Sequence, residues 1–169
     1  MPRPFVMWPD PRLKSVAAPV GEITDEILAI WDEMLEAMYA MPGVGLAAPQ
    51  LGIGLRLAVV DCGQERKAIR LANPRVTWAA ESLRSWQEAS PNLPGLNAEI
   101  RRPAPVRVAY LDETGDDVET EFKDLWATSV QHQIDHLDGK VFIDRLSRLK
   151  RQRLLDKHRA TLKKRKRQG

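Results

Sequence analysis

The sequence predicts a single domain of mixed helix and strand, and three observations carry that reading. An amphipathic helix pattern begins at Thr24, and alternating strand patterns with a hairpin signal fill residues 105–122. A second helix pattern over residues 124–138 carries two histidines four positions apart. At 169 residues the chain is long enough to bury one substantial core and short for two.

Composition narrows the function classes. Hydrophobic residues make up 43% and charged residues 29%, ordinary values for a soluble globular protein. No apolar run approaches the roughly 18–20 residues of a membrane helix, so no membrane partner is expected. The opening MPRPFVMWPDPRL is too proline-rich for an export signal. Cys62, the only cysteine, excludes an internal disulfide and fits a reducing, cytoplasmic setting. At the end of LRLAVVDC it reads as a small buried side chain rather than a nucleophile. The net charge of +3 conceals an asymmetry. Residues 145–169 hold twelve Lys or Arg against one acid, a net +11, and the other 144 residues sum to −8. A basic end on an acidic body is a statement about partners.

The first helix has Thr24 as its N-cap and Asp25 and Glu26 at the positive end of its dipole. Ile27, Ile30, Trp31, Met34, Leu35 and Met38 recur at helical spacing, and Pro42-Gly43 ends it. The stretch GVGLAAPQ (43–50) combines small residues with Gln50. It fits either a backbone that approaches a ligand closely or an ordinary tight turn; no Gly-Lys-Ser/Thr follows, so it is not a phosphate loop. Strands are predicted at Leu55–Asp61 and Ala68–Ala72, ended by Asn73-Pro74, then an irregular stretch at Gln87–Leu96. Pro105–Leu111 and the run Val118, Thr120, Phe122 form the hairpin around Glu113-Thr114-Gly115.

The second helix runs from about Asp124 to Asp138, with Trp126, Val130, Ile134 and Leu137 as its buried stripe and Gly139 as its C-cap. His132 and His136 lie off that stripe, one turn apart, so two imidazoles can converge on one ion. In the common HExxH arrangement the residue after the first His is a Glu acting as general base; here it is Gln133, an amide without that capacity. On spacing alone the pair fits a metal site and, equally, a surface helix that happens to carry two histidines. From Arg145 the chain reads as a leucine-striped helix under a cationic face, fraying into KKRKR.

GVGLAAPQ, QEASPNLPG and QHQIDHLDG stand in the order of three motifs, and with them the sequence resembles the peptide deformylases. WPDPRLKSVA, ANPRV and VFIDRLSRLKRQR extend the likeness over essentially the whole chain. The resemblance implies an α+β fold, with antiparallel sheets around a central helix that bears the metal motif, and a C-terminal helix. It implies one deformylase-like domain over residues 1–144, with the basic helix and tail of 145–169 belonging to it. The family reaction is removal of the N-formyl group from the initiator methionine of nascent polypeptides. A divalent ion (Fe²⁺, often Zn²⁺ or Ni²⁺) held by two His and one Cys activates a water, with Glu as base.

Carried over by position, His132 and His136 match the two His ligands, and Gln50 matches a glutamine that stabilises the oxyanion. The backbone of Val44, Gly45 and Leu46 matches the strand that pairs with substrate. Glu88 with Arg102 resembles a supporting ion pair near the site, and Arg102 and Pro91 are expected to bind substrate. The usual EGCLS motif reads Glu88-Ala89-Ser90-Pro91-Asn92. Ser90 thus stands at the thiolate position, where a neutral hydroxyl is a poor ligand and metal affinity falls. Pro91 stands at the second oxyanion donor and has no N–H, a loss typically worth about 10²–10³ in rate. Gln133 replaces a base typically worth about 10²–10⁴. Ligation, oxyanion stabilisation and proton transfer are each affected, so the expectation is a deformylase-type amidohydrolase with strongly impaired chemistry. Glu88 and Asp135 are candidate substitute bases, and Asp135 reads better as orienting a neighbour. The alternative is a non-catalytic protein that binds nascent peptides and, through its basic tail, the ribosome or rRNA. General RNA binding is a third reading, unsupported by any RNP-like aromatic motif or zinc knuckle.

Overall fold

A computed structural model describes residues 3–169. The first helix, α1 (Asp25–Ala40), starts where Thr24 Oγ1 accepts the Ile27 N–H at 3.3 Å, with Asp25 and Glu26 in its first turn. Its buried face of Ile27, Trp31, Met34 and Met38 packs on Leu46, Leu57 and Val59. Those three belong to a five-stranded antiparallel sheet ordered β1-β2-β3-β6-β7: β1 (Gly45–Ala47), β2 (Leu57–Val60), β3 (Ile69–Ala79), β6 (Val106–Leu111) and β7 (Asp117–Phe122). Strand β2 is buried on both faces. Leu57 and Val59 meet α1, and Ala58 and Val60 join Ala127 and Val130 of α2 (Asp124–Leu137) on the other side.

A second sheet, β4 (Leu83–Ala89) paired antiparallel with β5 (Asn97–Pro103), also packs against α2. The metal-motif helix is therefore held between two sheets, which is the α+β arrangement expected. The first helix, the hairpin around 113–115 and the span of α2 also follow the sequence reading.

Four local expectations need correction. Strand β3 does not stop at Ala72 but continues through Asn73-Pro74. Asn73 sits at φ 51°, and its side chain pairs with both the N–H and C=O of Val20 (2.8 and 2.7 Å). A register shift between Ala72 and Arg75 absorbs the proline, which has no N–H to give a ladder. Second, Gln87–Leu96 is not wholly irregular, because Gln87–Ala89 ends β4, and β5 is a strand that the sequence pattern does not predict. The inward positions of these two strands include Glu88 and Arg102, so apolar alternation is broken where a buried ion pair takes its place.

Third, α2 is not exposed on its polar side. His132, Gln133, Asp135 and His136 are all buried, while Trp126 and Ile134 of the expected stripe are only half-buried. Fourth, the basic helix α3 (Arg148–Gln168) stays helical to its end instead of fraying at KKRKR. Only Leu155 and His158 are buried on it; Leu155 packs with Leu93, Ile100 and Phe142, while Leu149 and Leu162 are exposed. At the turn after α2, Gly139 adopts φ 77° with the Lys14 carbonyl oxygen 2.5 Å from where a Cβ would sit. Positive φ and contact together require glycine there. Among the described residues no helix is long and apolar enough to cross a membrane.

Candidate active site

The site grows from α2. One helical turn brings His132 Nε2 and His136 Nε2 within 3.1 Å. Glu88, delivered by β4, accepts a hydrogen bond from His132 Nδ1 at 2.8 Å. A carboxylate partner keeps the proton on Nδ1 and leaves Nε2 as the lone-pair face directed at His136. Glu88 is itself gripped by Arg102 of β5, through Nε at 2.8 Å and Nη2 at 3.0 Å. Arg102 Nη1 continues to Asp135 on α2 (2.9 Å), and Asp135 also takes two hydrogen bonds from Arg145 (2.9 and 2.6 Å). Burial pushes the Glu88 and Asp135 carboxyls up. The bonds from His132 and Arg102 to Glu88, and from Arg145 and Arg102 to Asp135, outweigh it, and both stay below the usual carboxylate range.

Arg102 is only 1% exposed. Its three side-chain hydrogen bonds all go to carboxylates, two to Glu88 and one to Asp135. Its guanidinium is thus engaged beneath the cleft, whose lining residues do not include it.

A cleft of about 450 Å³ opens beside the imidazoles, between the β1 edge and the β4–Pro91 segment. Met41, Pro42, Leu125, Thr128 and Ser129 give it a largely apolar end. Among the described residues, strand β1 has no partner on this side. Val44 C=O accepts from Asp61 N–H (3.0 Å) and from Ser129 Oγ (2.9 Å), and so points toward β2. The alternation of an antiparallel ladder then turns Leu46 toward β2 as well and leaves the Gly45 N–H and C=O facing the cleft. Of the expected pairing segment Val44–Leu46, Gly45 is thus the residue whose backbone is open to a peptide. The Leu46 side chain is buried in the core, and the half-exposed Val44 lines the cleft with its side chain. A Cβ at Gly45 would lie 2.4 Å from Gln133 Nε2 and 2.5 Å from Ser129 Oγ, so a larger residue there would have to displace both side chains.

The three altered positions meet around this cleft. Gln133, 4% exposed, packs its amide nitrogen over Gly45, and its buried Oε1 has no hydrogen-bond partner among the described residues. Ser90 Oγ donates to Asn92 Oδ1 (2.9 Å) and makes no hydrogen bond with either imidazole. Pro91 lines the wall. Gln50, in a short 3₁₀ turn after β1, accepts the Ala47 N–H through Oε1 (2.8 Å). It donates through Nε2 to Asn92 Oδ1 (2.7 Å) and Ser90 Oγ (3.3 Å). Sequence reasoning missed Asn92 and Ser129. The first was legible as the last changed letter of the EGCLS motif; the second carries no spacing signal. Cys62 is half-buried beside the site, and burial pushes its thiol up to about 12, which disfavours the nucleophilic thiolate.

The donor set fits a catalytic metal ion only in part. Two nitrogens 3.1 Å apart suit a shared ion at the usual metal–imidazole distance of about 2.0–2.1 Å. The third position holds a hydroxyl engaged elsewhere, and among the described residues no group of three His, Cys, Asp or Glu side chains is arranged to hold a metal.

Two imidazoles at i, i+4 on a helix beneath an open strand edge have the spacing of the metallohydrolase helix motif, without its glutamate. Residues 2–152 match the model of the polypeptide deformylase family. The peptide deformylase of Methylocella silvestris is 47% identical over 161 residues, spanning 92% of this chain and 82% of that protein. That of Psychrobacter cryohalolentis is 40% identical over 167 residues, spanning 98% and 91%. Among solved structures, a peptide deformylase from Legionella pneumophila superposes with TM-score 0.89 at 34% identity, spanning 99% of both chains. The Ehrlichia chaffeensis peptide deformylase in complex with actinonin gives 0.87 at 30% identity, spanning 94% and 96%. The chain belongs to the peptide deformylase family.

Proposed function

We propose that this protein binds the N-terminal segment of nascent polypeptides in the cleft along Gly45 and hydrolyses the N-formyl group only at a strongly reduced rate. The observation that carries this is the engagement of every carboxylate beside the imidazoles. Gln133 offers an amide there, and the two nearby acids are both held: Glu88 by Arg102 and His132, Asp135 by Arg102 and Arg145. Neither can take a proton from water without breaking a buried ion pair. Ser90 in place of a thiolate weakens the hold on Fe²⁺, Zn²⁺ or Ni²⁺, so His132 and His136 form a low-affinity pair. Recognition is retained in this reading, since the strand edge, the apolar end of the cleft and the imidazole scaffold all remain. Titration calorimetry with a formyl-Met tripeptide, paired with release of formate, tests this. Binding accompanied by turnover near background is expected; rapid turnover, or no binding, contradicts it.

A specific observation favours a second partner. From Arg159 onward every residue of α3 is exposed, and Lys163, Lys164, Arg165, Lys166 and Arg167 form a continuous cationic end. This supports ribosome or rRNA docking in the cytoplasm, where nascent chains emerge. Deleting residues 160–169, which leaves the buried Leu155 and His158 in place, is expected to weaken ribosome co-sedimentation and flatten its salt dependence. Unchanged co-sedimentation at low salt would count against docking through the tail.

A further inference from the structure

We propose that Asn92 is a positioning residue that ties up the donors of the Gln50 carboxamide at the cleft wall, a fourth point at which this site departs from a working deformylase. The inference rests on the reading of Gln50 as the residue that would stabilise a developing oxyanion.

Asn92 is fully buried and is the hub of the polar cluster beneath the Ser90–Pro91 wall. Its Oδ1 accepts Gln50 Nε2 at 2.7 Å and Ser90 Oγ at 2.9 Å. Its Nδ2 donates to the carbonyl of Val6 and, at 3.3 Å, to that of Gln50. Asn92 C=O meanwhile accepts the Trp8 N–H at 2.9 Å, so three segments of the chain converge on this one residue.

The consequence for Gln50 follows from counting protons. A carboxamide nitrogen carries two hydrogens. One is directed to Asn92 Oδ1 and the other to Ser90 Oγ, and the opposite end of the group is pinned by the Ala47 N–H. All the hydrogen-bonding capacity of the amide's donors is used inside the protein. A donor stabilises an oxyanion only when it is aimed beforehand at the place where charge develops. Turning the Gln50 donors into the cleft would strand Asn92 Oδ1 with Ser90 as its sole donor and leave the Ala47 N–H unpaired in a buried place. The serine that ends the EGCLS motif has a shorter side chain with a single hydroxyl. It has no amide to reach across to Val6 and no carbonyl oxygen fixed between Gln50 and residue 90.

Side-chain amide hydrogen exchange on the ¹⁵N-labelled native protein tests this directly, with Gln50→Glu identifying the Gln50 signals by their disappearance. Protection of both Gln50 amide protons is expected. Exchange as fast as that of an exposed glutamine overturns the proposal, whatever the native chain's activity proves to be. A second arm uses Ser90→Cys/Pro91→Leu/Gln133→Glu as background. Adding Asn92→Ser is expected to raise kcat about tenfold or more with KM unchanged, and Gln50→Ala is expected to cancel that gain. A gain of the same size with and without Gln50 would show that Asn92 acts only through packing and would overturn the proposal. Should the background itself be inactive, the exchange result alone decides. Rapid formyl hydrolysis by the native chain would refute the impaired-enzyme reading and leave the exchange outcome to be judged separately.

Discussion

The triple variant Ser90→Cys/Pro91→Leu/Gln133→Glu is expected to hydrolyse a formyl-Met peptide at least about 10²-fold faster than the native chain and to copurify with close to one divalent ion. Each change repairs a separate function. Ser90→Cys supplies a third, anionic ligand beside two imidazoles already 3.1 Å apart. Pro91→Leu restores a backbone N–H on the cleft wall. Gln133→Glu brings a carboxylate to the position where Gln133 now packs over Gly45, and general-base catalysis alone is typically worth about 10²–10⁴. The gains need not multiply, because the three groups act on one transition state. With Asn92 still holding Gln50, the variant is expected to remain short of an unaltered family member. Steady-state kinetics with elemental analysis of the purified variant checks this. Metal uptake without activity would locate the remaining defect outside these three positions.

The second large effect concerns stability. Arg102→Met is expected to destabilise the fold by about 3–5 kcal/mol, because it leaves Glu88 and Asp135 buried without their shared cation. For a chain of this length that corresponds to a fall in Tm on the order of 10 °C. Arg145→Met removes the other partner of Asp135, but that side chain is 47% exposed and Arg102 remains in place, so its effect is expected to be clearly smaller. Arg102→Lys is not a safe replacement, since a point ammonium does not match the bidentate hold on Glu88. Thermal unfolding of the three variants orders them; an Arg102→Met protein as stable as the native one would contradict the buried network as a structural support.

That network also explains what the sequence concealed. α1 and the 106–122 hairpin were legible because one face of each is apolar, so period 3.6 or period 2 registers directly in residue type. The β4–β5 hairpin was not, because its inward positions include Glu88 and Arg102, and a buried ion pair looks like surface sequence. The same masking made α2 look half-exposed: His132, Asp135 and His136 are polar yet enclosed by the second sheet. Gln50, Ser90, Pro91, His132 and Gln133, picked out by motif position, all line one cleft, with His136 buried behind His132. Motif position gave no warning that Gln50 and Ser90 are hydrogen-bonded to Asn92, since side-chain direction in a turn is set by long-range partners such as the Val6 carbonyl. Proline and asparagine at 73–74 suggested a strand end; the Val20 backbone, 53 residues away, converts that pair into a bulge.

The most direct measurement is a single-turnover assay of the native chain, in excess over formyl-Met tripeptide and supplemented with Fe²⁺, Ni²⁺ or Zn²⁺, that follows formate release. Formate at or near the uncatalysed background is expected while the peptide is bound. Complete deformylation within one mixing period would contradict that and would mean that Gln133, Ser90 and Pro91 support a chemistry in which none of the three replaced groups is needed.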